Sequence, residues 1–185
     1  MQSPRPLAIV ALIFSTMVLQ GCIGSKTYYV DNRFTAEEEA DIQAAASMWN
    51  DATGGALNFD LVFGQRVDVF EVKRNVIAKV GARAAFNRFP EMLSDTRPAF
   101  FHPGNALESS LLVVIADHVD AQLLRPTVAH EMGHAFGLQH VPEERALMHE
   151  NLHNDVTKCV TEVDLQEARR YVAFDVDRPC DAVTE

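Results

Sequence analysis

The sequence predicts an α/β (α+β) domain in which helices pack on one mixed sheet, and three observations predict it. Residues 57–64, "LNFDLVFG", alternate apolar and polar side chains, the mark of a half-buried strand. Residues 36–52 carry an apolar stripe at helical spacing behind a capping signature. Residues 111–117, "LLVVIAD", are a continuous apolar run suited to a strand covered on both faces, and a largely apolar helical segment follows it. Strand and helix signals thus interleave along 185 residues, a length that suits one domain with a sizeable core.

The N-terminus stands apart from that core. "MQSPRP" carries one cation, Arg5, and no acid. Leu7 to Leu19 is apolar but too short to span a bilayer, which is a signal-peptide layout over residues 1–21. It ends in Leu19-Gln20-Gly21-Cys22, which resembles the lipobox of bacterial lipoproteins. That resemblance implies that Cys22 is lipid-modified and becomes the first mature residue, with residues 22–26 as a tether and 27–185 as the working domain. The alternative is a plain secretory peptide with an incidental cysteine. Ile23 in place of Asp implies the outer membrane of a cell envelope. Several acyl chains on one cysteine anchor stably where a single chain is marginal.

Two cysteines remain, Cys159 and Cys180. An exported chain with an even cysteine count is expected to pair them; two separate buried thiols are the alternative. The formal net charge is −10, and residues 1–21 contribute only Arg5 to it, so the remainder is more acidic still. That excludes nucleic acid as a natural partner. Solubility, rather than attraction of cationic substrates, is the preferred reading of the charge. A monomer is expected.

The remaining elements follow in order. "TYYVDNRF", residues 27–34, is aromatic and β-branched and reads as a strand. Thr35 with Glu38 three residues later is a capping box opening the helix "AEEEADIQAAASMWNDA", whose Ile42, Ala45, Ala46 and Trp49 share one face. Gly54 and Gly55 stop it. Trp49, the sole tryptophan, is read as core. "VDVFEV" and "NVIAKV" read as further strands. Residues 81–110 show no clear period and are expected to form a long loop with one short strand near Ala99–Phe101. The next helix is expected from Pro126, a good first helical residue, to Phe136. The last is opened by Thr161, with Asp164 at its third position, and is expected to run through "EVDLQEARRYVAF".

The chemistry concentrates in "AHEMGHAFGLQH", residues 129–140. His130 and His134, four apart on a helix, lie one turn apart on one face, where two imidazoles reach one ion. Glu131 is turned about 100° round the axis from His130, so it need not ligate and can stand beside the ion instead. Gly137 can take the positive φ that ends a helix sharply and returns His140 to the same point. Three neutral imidazoles leave a fourth position for water, and three nitrogens suit zinc, with other first-row ions possible. Buried histidines satisfied by backbone, or a closed zinc staple, are the structural alternatives.

"HEMGHAFGLQH" resembles the extended zinc signature of the metzincin metallopeptidases, and "RALMHE" resembles their methionine turn, most closely that of the matrixin group. The likeness implies a metzincin-like sandwich: a twisted mixed sheet, an active-site helix and a C-terminal helix. It implies zinc endopeptidase activity on polypeptides, with His130, His134 and His140 as ligands to one catalytic Zn²⁺, Glu131 as general base, and Met148 as an apolar floor that does not bind metal. It also implies a cleft beneath an edge strand that holds an extended substrate. The sequence departs from the group after Met148, where His149 and Glu150 stand in place of the usual Pro. His149 and His153 are candidates for substrate contact, and His102 and His118 for remnants of a structural metal site. The rival reading is a non-catalytic, zinc-containing envelope lipoprotein with a binding or assembly role.

Overall fold

A computed structural model describes residues 25–68, 74–90, 98–104, 109–151, 159–175 and 179–180. Cys22, with the signal and most of the tether expected before Ser25, lies outside the described residues, as does His153. Nine elements follow in chain order: β1 (Ser25–Asp31), α1 (Ala36–Ala52), β2 (Asn58–Gln65), β3 (Val76–Val80), α2 (Ala82–Arg88), β4 (Ala99–His102), β5 (Leu111–Ile115), α3 (Leu124–Ala135) and α4 (Glu162–Ala168). The five strands form one sheet in the order β2-β1-β3-β5-β4, parallel except for β4, which runs antiparallel to β5. This is the mixed α/β architecture expected from the residues.

The two faces of the sheet are covered differently. Tyr28, Val30, Ile77, Leu112 and Val114 face a core shared with α1, α3 and α4, where Trp49, Met132, Leu147 and Leu165 are fully buried. Val76, Ala78, Val80, Leu111, Val113 and Ile115 face a smaller core closed by Ala85, Phe89 and Phe100. Every residue of β5 is therefore buried, the reason its sequence shows no alternation.

Several elements match their sequence signals. Thr35 and Glu38 close a reciprocal cap on α1, and Ile42, Ala45, Ala46 and Trp49 are all buried. In β2, Phe59, Leu61 and Phe63 turn inward relative to the exposed Asp60 and Val62. The short strand near Ala99 is present as β4. Among the described residues no helix is long and apolar enough to cross a membrane.

Several elements differ from expectation. Ser25 and Lys26, expected in the tether, are strand, because they pair in parallel with Asn58 and Phe59. Residues 82–88, expected as loop, are α2, whose first free N–H, at Ala82, is capped by the Asp117 carboxylate at 2.7 Å. α3 starts at Leu124, so Pro126 is its third residue rather than its first. The chain enters it through a 3₁₀ turn at Ala121–Leu123 capped by Asp120. α4 stops at Ala168, where bonds from Arg170 N–H to Glu167 O and Tyr171 N–H to Ala168 O tighten the chain into a turn. Val67 and Asp68 of "VDVFEV" lie in no strand, and residues 69–72 are outside the described set.

α1 and α3 are locked together at two points. The Trp49 indole N–H donates to the Ala129 carbonyl at 2.8 Å, and Arg125 pairs with Asp41 at 2.7 Å. Cys159 and Cys180 form a disulfide, and Ala146 bridges Cys159 beside the turn that carries Met148.

Candidate metal centre

α3 carries the first two histidines on one face, and its end supplies the third. Gly137 takes φ 94°, a conformation that disfavours any side chain, and the chain reverses there. His140 then returns toward the helix. The Nε2 atoms of His130 and His134 are 3.1 Å apart, those of His134 and His140 3.1 Å, and those of His140 and His130 3.3 Å. Exposure rises across the trio, from buried His130 through half-buried His134 to exposed His140, so the cluster opens to solvent on one side.

The protons can be placed from the partners. His130 Nδ1 lies 2.7 Å from the Leu147 carbonyl and His134 Nδ1 lies 2.8 Å from the Leu138 carbonyl. A carbonyl oxygen only accepts, so each Nδ1 carries hydrogen and donates it. In the neutral ring each Nε2 then carries a lone pair and no hydrogen, and the two nitrogens face each other at 3.1 Å. That arrangement is repulsive on its own and favourable around a cation. Ligands about 2.0–2.1 Å from a tetrahedral zinc ion stand about 3.3–3.4 Å apart, close to the three observed spacings. The residues present therefore fit a first-row divalent ion, and a three-nitrogen set leaves a coordination position over. Among the described residues this is the sole group of three or more His, Cys, Asp or Glu side chains converging on one point, and neither His102 nor His118 joins a second. His102 lies against the Phe89 ring.

Glu131 follows the first histidine and is 8% exposed. Met148 is fully buried behind the helix. A Cβ added at Gly133 would overlap Met148 Sδ and sit 3.0 Å from Trp49 Cζ2, so the absence of a side chain at Gly133 lets the methionine turn close on α3. His149 is half-buried, and its Nδ1 lies 3.1 Å from the Asn151 carbonyl oxygen and 3.2 Å from the Asn151 nitrogen.

Residues that sequence reasoning left out of the site hold it from behind. Asp164 was expected only as a helix cap, a role it fills by accepting from Thr161 N–H at 2.8 Å. The same carboxylate also accepts from the N–H groups of Leu147 at 2.8 Å and Met148 at 2.9 Å. Burial pushes the Asp164 carboxyl up from its ordinary value of 3.8, against the downward pull of the donors on Thr161, Met148 and Leu147. On the other side of the turn, the Met148 carbonyl accepts from Val141 N–H at 3.0 Å, next to His140. Apart from the cap at Thr161, the one signal visible in the sequence, these contacts join residues seven or more positions apart.

Compared with known families, residues 25–170 match the family model described as Matrixin. No curated protein matches the chain.

Proposed function

The chain belongs to the matrixin family of metallopeptidases, and from that premise we propose that it is a zinc-dependent endopeptidase with Glu131 as general base. The observation that carries the reading is the convergence of three histidine Nε2 atoms to within 3.3 Å of one another on a side open to solvent. His130, His134 and His140 are the ligands. When bound there, zinc supplies a Lewis acid that polarises the scissile carbonyl and acidifies water.

The chain's own groups do the rest. Glu131, one residue after the first ligand, takes a proton from the attacking water and hands it to the leaving amine. The backbone carbonyls of Leu147 and Leu138 hold the first two imidazoles in the tautomer that presents Nε2. Met148 closes the floor below them with an apolar side chain. β4 is an outer strand of the sheet, and its outer edge can add main-chain hydrogen bonds to an extended polypeptide substrate.

Glu131→Ala tests this. The zinc-loaded variant is expected to keep one ion per chain and lose cleavage of unfolded casein by about 10²–10⁴-fold; the parent's activity is expected to vanish with a chelator and return with zinc. A variant that cuts as fast as the parent contradicts the role of Glu131. A zinc-loaded parent that cuts none of several unfolded proteins favours the non-catalytic reading.

The same proposal extends to placement. Residues 1–21 act as a lipoprotein signal, Cys22 carries the lipid, and the domain that follows sits as a monomer on the outer membrane. The apolar run from Leu7 to Leu19 and the Leu-Gln-Gly-Cys junction support it. Cys22→Ser is expected to move the protein from the membrane to the soluble fraction.

A further inference from the structure

His140 is the exposed member of the trio, so packing cannot fix its ring as it fixes buried His130. Its position depends on its backbone, the bend from Gly137 to His140. That bend is held at successive residues. The Tyr171 ring lies 3.4 Å from where a Cβ at Gly137 would sit. The Leu138 carbonyl accepts from His134 Nδ1. Gln139 N–H donates to Glu167 Oε1 at 3.3 Å. Val141 N–H, just beyond His140, donates to the Met148 carbonyl. The third histidine is thus bracketed by two backbone donors, one of which ends on a side chain of α4.

That side chain is built into place. Glu167 is 7% exposed, although α4 lies at the surface. Its Oε1 also accepts from the Tyr171 hydroxyl at 3.3 Å, and its Oε2 from Arg170 at 2.7 Å. Tyr171 thus reaches both the acceptor and the glycine at which the chain turns.

We propose that Glu167 is a positioning residue for the third ligand: with Tyr171 it braces the Gly137–His140 bend, so that His140 meets His130 and His134 already ordered. The inference rests on these histidines being the zinc ligands. Ordering a loose bend at the moment of binding would be deducted from metal affinity, so a braced bend binds more tightly. Outer-shell partners of metal ligands commonly contribute 10–100-fold in affinity.

The test compares variants for zinc affinity by chelator competition, for the visible spectrum of the cobalt-substituted protein, and for melting of the metal-free form. Glu167→Met keeps the length of the side chain without its acceptor. It is expected to raise the zinc Kd about 10–100-fold and to alter the cobalt spectrum, while the metal-free protein melts as the parent does. Glu167→Gln, which keeps an oxygen for Gln139 N–H, and Arg170→Ala, which removes only the ion pair, are expected to stay near the parent. Should the Met variant not fold, Glu167→Asp withdraws the carboxylate by one methylene and is expected to weaken zinc in the same direction. A folded Met variant that binds zinc as tightly as the parent overturns the proposal, and so does an equal loss in Arg170→Ala. A parent that takes up no zinc overturns instead the ligand assignment beneath it.

Discussion

The Nδ1–H of His130 donates to the carbonyl of Leu147 at 2.7 Å, across seventeen residues of chain. This bond fixes the tautomer of the first histidine and ties it to the methionine turn in one step. The peptide unit that carries this carbonyl is itself held from its other side, because its N–H, that of Met148, donates to Asp164 at 2.9 Å. A buried carboxylate on α4 therefore sets the position of a ring on α3 through a single peptide unit.

Removing that carboxylate should loosen the turn. Asp164→Ala strips an acceptor from the N–H groups of Leu147, Met148 and Thr161 inside the core. The expected loss is about 3 kcal/mol or more, since each of the three buried donors left without a partner costs about 1–3 kcal/mol. Urea unfolding of the metal-free protein measures it. A loss below about 0.5 kcal/mol, the range of an ordinary surface substitution, would show that the turn holds itself.

Gly133 is the narrowest point between α3 and the turn. Gly133→Ala is expected to destabilise by about 1–3 kcal/mol, the usual cost of overpacking a core, because its methyl overlaps Met148 Sδ and crowds the Trp49 ring. Met148→Ala in the same chain removes the overlap. The double variant should therefore lose less than the sum of the two single losses, and a double-mutant cycle in urea reads the difference. Strict additivity would mean that Met148 does not press on the helix.

Acid should weaken the link between α1 and the sheet. Burial alone would raise the Glu38 carboxyl, but Lys79 at 2.6 Å and the Thr35 N–H outweigh it, and the group sits below its ordinary 4.5. A depressed folded value means that the unfolded chain binds the proton first. The stabilisation is therefore complete above pH 4.5 and is lost as pH falls through the folded value. Lys79→Met is expected to remove about 1 kcal/mol of stability at neutral pH and to flatten the acid limb of the stability–pH curve below 4.5. An unchanged acid limb would contradict the assignment.

What could be read from the sequence was what the chain specifies locally. The cap at Thr35, the stripe through Trp49, the pair at His130 and His134 and the turn at Gly137 each depend on residues within a few positions of one another. The strand β5 was legible because burial on both faces demands an unbroken apolar run. The helix α2 was not, because its cap is Asp117, thirty-five residues away, while the local N-cap is Gly81, which offers no side chain. Pro126 misplaced the start of α3 because the chain enters that helix through the Asp120 turn upstream. The supports of the metal centre were hidden for the same reason as α2. Asp164 reaches Leu147, and Glu167 reaches Gln139, only once α4 has packed behind the site.

If the proposed function holds, three imidazoles and no other protein group hold one catalytic ion. X-ray absorption on the zinc-loaded protein reads the coordination shell directly. The expected shell is one ion per chain with three histidine nitrogens at about 2.0–2.1 Å and one solvent oxygen. A shell of four protein ligands, or one with fewer than three histidine nitrogens, would contradict it.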